Sequence, residues 1–174
     1  MAVRWTLLKS KAKELLEKGN IRKAPVPIEK LASELNAIIR YQPFDGEVSG
    51  LVHCHERQII IGVNSNHAET RQRFTIAHEV GHLLLHQTKN LHVDNLLRSA
   101  VNFRDESSSL GVDDKEIEAN QFAADLLMPE DFLLQDVRNV SSTEPEAAVE
   151  ELADKYRVSI QSMAIRLSKL GFIR

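Results

Sequence analysis

The segment from 67 to 86 constrains the fold most, because it places strongly polar side chains inside an apolar helical pattern. Leucines at 83–85 indicate that the helix is deeply buried. Its middle nevertheless contains His78, Glu79 and His82. Two imidazoles and a carboxylate are costly to bury unless another group satisfies them. The fold must therefore bring such a group to this helix.

The spacing of the two histidines predicts that the group is a metal ion. Residues four apart share one helix face, so His78 and His82 can bind one zinc ion from consecutive turns. Glu79 lies about 100° further around the helix, where it can reach a water at the metal without replacing it. The motif predicts a zinc-dependent peptide hydrolase with Glu79 as general base.

A catalytic zinc needs a third protein ligand, and the helix predicted over 115–128 offers candidates. On this helix, Glu116 falls about 50° from the centre of the apolar face and Glu118 about 110° away. We therefore expect Glu116 to be the third ligand and Glu118 to face solvent. Asn120 lies one turn beyond Glu116, where its amide can orient the site.

The remaining pattern predicts a mainly helical α+β fold with a three-stranded meander between 37 and 63. We expect a metallopeptidase domain at 1–138 and a helical extension at 139–174, packed on the same domain. A polar stretch between 98 and 115 predicts an exposed connection. Helices are predicted at 5–18, about 27–35, 67–86, 115–128 and 130–137. Two more follow, one that ends at about 156 and one over 159–171.

Composition narrows the cellular setting. The net charge of −3 gives no general reason to bind nucleic acid or an anionic membrane. Cys54 is the single cysteine, so the fold needs no disulfide. Basic residues interrupt the N-terminal segment, and no apolar run is long enough for a membrane span. We therefore predict a cytoplasmic protein that has no membrane partner.

Two stretches together resemble the ImmA/IrrE family of metallopeptidases. They are RFTIAHEVGH at 73–82 and EIEANQFAADLLMP at 116–129, and the strands around 48–52 and 61–64 are similar as well. The resemblance implies zinc bound by His78, His82 and Glu116, with Glu79 catalytic. It also implies a protein substrate, such as an Xre-type transcriptional repressor or an antitoxin, encoded in a mobile element or a toxin–antitoxin pair.

Other interpretations stay open. The segment 152–171 is similar to a helix-turn-helix with Ser159 capping its second helix, and residues 153–174 hold five basic side chains against one acidic. We expect these helices to pack on the core, with DNA contact as an alternative. A second alternative is a non-catalytic module that binds a regulator. Three residues are candidates for stabilising an oxyanion: His86, Arg71 and Arg73.

Overall fold

The structure, a computed structural model, describes residues 3–45, 48–55, 58–86, 92–94, 114–142 and 144–173, with 92–94 described by backbone alone. The mainly helical α+β class is confirmed. Most of the connection predicted between 98 and 115 lies outside the described residues.

The elements are α1 (Trp5–Lys18), α2 (Ile28–Glu34), β1 (Ala37–Gln42), β2 (Gly50–His55), β3 (Gln58–Asn64), α3 (Glu69–His86), β4 (His92–Asp94), α4 (Asp114–Leu127), α5 (Glu130–Asp136), a 3₁₀ turn (Val137–Asn139), α6 (Pro145–Tyr156) and α7 (Ile160–Lys169).

The three predicted strands exist, but they do not form a meander. The sheet order is β1-β3-β2-β4, with β1 parallel to β3 and the other neighbouring pairs antiparallel. β3 carries the longest apolar run, Ile59–Val63, and its second half is buried. A continuous apolar run favours a central strand, whereas β1 is largely exposed after its first residue and lies at an edge.

Helix α3 packs against β2 and β3 on one side and against α4 on another, while α4 also packs against α1. The two central helices approach closely at Gly81. A Cβ atom added there would lie 3.1 Å from Cδ1 of Phe122 and 3.2 Å from Cα of Ala119. Small residues at this crossing therefore allow the polar first turns of α4 to reach the histidines of α3.

The C-terminal helices contact the rest of the chain through buried polar groups. The hydroxyl of Tyr156 donates to Asp136 at 2.8 Å. Arg166 forms an ion pair of 2.7 Å with Asp125 and donates to the carbonyl of Met128. Ser159 caps α7 by accepting from the backbone N–H of Ser162, as predicted. The division into 1–138 and 139–174 stays a prediction.

The described residues contain no helix that is both long and apolar enough to cross a membrane.

Gly50 determines how closely α3 lies against the sheet. A Cβ atom added at Gly50 would lie only 2.3 Å from Cγ2 of Thr75, and 3.4 Å from Oε1 of Glu79. Thr75 is fully buried, so its methyl group has little room to move. The first residue of β2 thus lies against the helix turn that carries the predicted general base.

We expect Gly50→Ala to lower the free energy of unfolding by about 1–3 kcal/mol, because the new methyl overlaps with Thr75. Thr75→Ser removes the overlapping methyl and should recover much of that loss. A double-mutant cycle by urea unfolding measures the coupling between the two sites. If the two changes in the free energy of unfolding are strictly additive, contact with Thr75 is not the reason that a side chain is excluded at position 50.

Candidate metal centre

Three side chains from two helices converge on one point, as the sequence predicted. His78 and His82 of α3 have their Nε2 atoms 3.0 Å apart. Oε2 of Glu116 on α4 lies 3.3 Å from Nε2 of His78, and its Oε1 lies 3.2 Å from Nε2 of His82. A tetrahedral zinc ion with ligands at about 2.0–2.1 Å requires donors roughly 3.3–3.4 Å apart. The donor set is therefore close to that of a three-ligand zinc site.

Asn120 determines the tautomer of His78. The carboxamide oxygen of Asn120 lies 3.0 Å from Nδ1 of His78, and both side chains are buried. Because that oxygen can only accept, Nδ1 must carry the proton. The lone pair of His78 is then on Nε2, directed at Glu116 and His82. Asn120 thus lies where the sequence predicted an orienting amide.

A longer chain of contacts determines the tautomer of His82. Nδ1 of His82 lies 3.1 Å from Nδ1 of His86, and Nε2 of His86 lies 3.0 Å from Oε2 of Glu118. The carboxylate accepts from His86, so a neutral His86 accepts at Nδ1 from His82. The second lone pair is then also on Nε2, where it faces the same point.

Arg4, which directly precedes α1, binds the Glu118 carboxylate at the end of this chain of contacts. Its backbone N–H and Nε both donate to Oε1 of Glu118 at 2.9 Å, and its Nη2 lies 2.5 Å from Oε2. The guanidinium of Arg4 is the main reason that the pKa of Glu118 falls to about 2. Burial lowers the pKa of His86 and outweighs the opposing effect of Glu118. An ionised Glu118 and a neutral His86 are the states that this chain of contacts requires.

The expectation that Glu118 faces solvent is wrong, since only 3% of its surface is exposed. The apolar residues of α4 mark the face toward α3, but α4 also packs against α1. The buried part of the α4 surface is therefore wider than the stripe of apolar residues indicated. Arg4 is 114 positions away in sequence, so no local pattern signals the pairing.

Glu79 is completely buried on the turn of α3 next to His78. Its Oε1 lies 3.4 Å from the position that a Cβ atom would take at Gly50, so the missing side chain leaves room for the carboxylate beside the start of β2. Glu79 thus directly follows the donor His78 in α3, and a carboxylate close to a metal centre can transfer protons there.

The three candidates for oxyanion stabilisation differ in their contacts. Arg73 is buried and donates to the carbonyls of Val26 and Arg157, so its hydrogen bonds hold backbone segments together. His86 is engaged with His82 and Glu118. Arg71 donates to the hydroxyl of Ser49, which precedes β2. His86 is not among the residues whose ligand atoms converge, which are His78, His82 and Glu116.

Comparison with known proteins identifies the class. A peptidase family described as the IrrE N-terminal-like domain matches residues 32–168. The chain belongs to this family, which confirms the ImmA/IrrE resemblance. It is 31% identical over 145 residues to a protein of Bacillus phage phi105 named "Uncharacterized immunity region protein 2", covering 83% of this chain and 82% of that protein.

A solved structure shares the fold. It is titled "Mycobacterium tuberculosis transcriptional regulator" and superposes with a TM-score of 0.60 over 92% of this chain at 17% identity. This chain spans 46% of the length of that protein. At this level of identity the likeness concerns the fold alone.

We expect Glu118→Gln to lower the free energy of unfolding of the metal-free protein by about 1–3 kcal/mol, because a neutral amide replaces the carboxylate that the partly exposed Arg4 and the largely buried His86 bind. Glu130→Gln is the control, since Glu130 forms a more exposed ion pair with Lys9 and should change stability by less than about 1 kcal/mol. Urea unfolding in the presence of a chelator measures both. Equal effects would mean that the Glu118 contacts do not stabilise this region.

Proposed function

We propose that this protein is a zinc-dependent endopeptidase that cleaves a regulatory protein partner. The observation that carries the proposal is the convergence of His78, His82 and Glu116 within 3.0–3.3 Å, on a helix where the buried Glu79 directly follows His78. Membership of a peptidase family supports the same conclusion.

The residues fit zinc in their chemistry as well as in their spacing. Zinc binds neutral imidazoles and carboxylates, and catalytic sites take three protein ligands and leave one position open. Asn120 and His86 fix tautomers in which both Nε2 lone pairs face Glu116. Partners of this kind, placed behind metal ligands, hold the imidazole rings and raise their basicity.

Each residue then has one task. When bound, zinc supplies a Lewis acid that polarises a peptide carbonyl and makes water more acidic. His78, His82 and Glu116 hold it. The Glu79 carboxylate takes a proton from the attacking water and passes it to the departing amine nitrogen. Burial of Glu79 excludes bulk water and keeps its carboxylate in one position.

The proposed substrate is a protein, such as an Xre-type transcriptional repressor or an antitoxin. The related phage protein is named for an immunity region. That name supports a setting in gene regulation. We also propose that the reaction takes place in the cytoplasm, where such regulators act.

DNA binding by residues 153–174 is weakly supported. Three of the basic side chains in this segment are already paired with carboxylates: Lys155 with Asp136, Arg157 with Glu69 and Arg166 with Asp125. Each ion pair reduces the positive charge available to phosphates. The basic character of the segment is therefore smaller than its composition indicates.

We expect the purified protein to contain about one zinc ion per chain, because three ligands converge at one site. Asn120→Ala should weaken zinc binding roughly 10–100-fold, and Glu116→Gln should weaken it more because a ligand is lost. Glu130→Gln should leave zinc binding unchanged. Elemental mass spectrometry and competition with a chelating dye measure these values. Absence of zinc from the wild type, even after zinc is supplied, would contradict the proposal.

We expect Glu79→Gln to keep zinc but to slow cleavage of the partner about 10²–10⁴-fold, because the variant cannot accept a proton. The assay co-expresses the chain with a candidate Xre-type repressor and follows the repressor by mass spectrometry. Glu130→Gln is the control for loss of a carboxylate elsewhere.

The same experiment separates catalysis from binding alone. If the regulator loses its repression of transcription equally with Glu79→Gln and with the wild type, and no fragment of the regulator forms, the chain is a regulator-binding module rather than an enzyme. If fragments form only with the wild type and Glu130→Gln, the endopeptidase proposal holds.

A further inference from the structure

A second concave site lies on the side of α4 that faces α7. This cavity of about 330 Å³ is formed by the beginning of α3, the middle of α4 and one face of α7. Ligand pockets usually have volumes of about 300–1,000 Å³, so this cavity suits one or two large side chains. We call it the α7 cavity.

The walls of the α7 cavity are largely apolar. Phe74 of α3, Ala124 and Met128 near the end of α4, and Ile165 of α7 supply the apolar lining. Phe74, Ala124 and Ile165 are partly exposed, and Phe74 and Ala124 also pack against the core. A partner side chain that covers them would therefore gain from the removal of apolar surface from water.

The electrostatic character of the α7 cavity is positive. Its described lining includes Arg71, Arg166 and Lys169 and has no acidic side chain. Asp125 compensates the charge of Arg166. Arg71 instead donates to the neutral hydroxyl of Ser49, so that contact leaves its charge uncompensated. The lining therefore favours a ligand that combines apolar surface with negative charge.

Two contacts connect the α7 cavity to the candidate metal centre. Asn120 lines the cavity and also accepts from Nδ1 of His78. Arg71 at the rim is tied to Ser49, the neighbour of Gly50, which lies beside Glu79. The α7 cavity and the candidate metal centre therefore share Asn120 and are connected through Arg71 and Ser49.

We infer that the α7 cavity binds a segment of the protein partner that presents a large apolar side chain flanked by Asp or Glu. This inference rests on the proposed function, because it names the part of the substrate that the enzyme recognises. A buried apolar anchor with charges at its rim is a common arrangement at protein interfaces. Such docking selects a partner without altering the hydrolytic chemistry.

The three methionines of the chain make a direct binding test possible. Met128 lines the α7 cavity, whereas Met163 is buried in α7 and Met1 is at the N-terminus. Zinc-loaded protein labelled with ¹³C at the methionine methyl groups gives three signals. The probe is the pentapeptide Gly-Asp-Phe-Glu-Gly, and the comparison peptide is Gly-Lys-Phe-Lys-Gly.

We expect the acidic peptide to shift the Met128 signal in a saturable manner, with little change at Met163. The lysine peptide should bind roughly tenfold more weakly or worse, because its charges oppose Arg71 and Lys169. Ile165→Asp should abolish the shift. Ile160→Asp is the matched control, since Ile160 is on the same helix but is 52% exposed and outside the lining.

The outcomes distinguish this inference from the proposed function. No shift of Met128 with either peptide, or equal affinity for both, overturns the inference even if zinc binding and cleavage are found. A saturable shift that Ile165→Asp abolishes supports the cavity as a docking site even if Glu79-dependent cleavage is absent.

Discussion

The close crossing of α3 and α4 is the constraint on which the candidate site depends. His78 and His82 are on one helix, and the carboxylate that meets them is on another. Gly81 and Ala119 let the two backbones approach until Glu116 reaches both Nε2 atoms. Larger side chains at this crossing would separate the helices. The packing of two small residues thus determines whether three donors can share one ion.

The hydrogen bonds to His78 and His82 restrict the arrangement of the site as much as the three donor atoms do. Asn120 and His86 each leave one imidazole with its lone pair toward Glu116. Burial lowers the pKa of His86 and so favours the neutral form that this arrangement needs, while Glu118, held by Arg4, accepts from its Nε2. Buried polar groups are costly unless they are satisfied, so such a network restricts the site to one arrangement.

Local patterns in the sequence were sufficient for the main helices, for β1, β2 and β3 and for the donor set, but not for β4. The spacing within α3 and the amphipathic pattern of α4 predicted that His78, His82 and Glu116 would meet, and the structure brings them together. Long-range pairing was not predictable in the same way. The position of β1 depends on which strand is most buried, and the burial of Glu118 depends on Arg4 at the other end of the described chain. Neither the pairing of β1 nor the burial of Glu118 produces a periodic pattern in the sequence.

The contact between Arg4 and Glu118 also has a consequence for protein synthesis. Its two partners are 114 positions apart, and α4 is made after most of the sheet and α3. While the ribosome is still elongating the chain, His78 and His82 can be present without Glu116 or the contacts that orient His82. Since contacts of large sequence separation form late, the nascent polypeptide has an incomplete donor set until α4 has emerged.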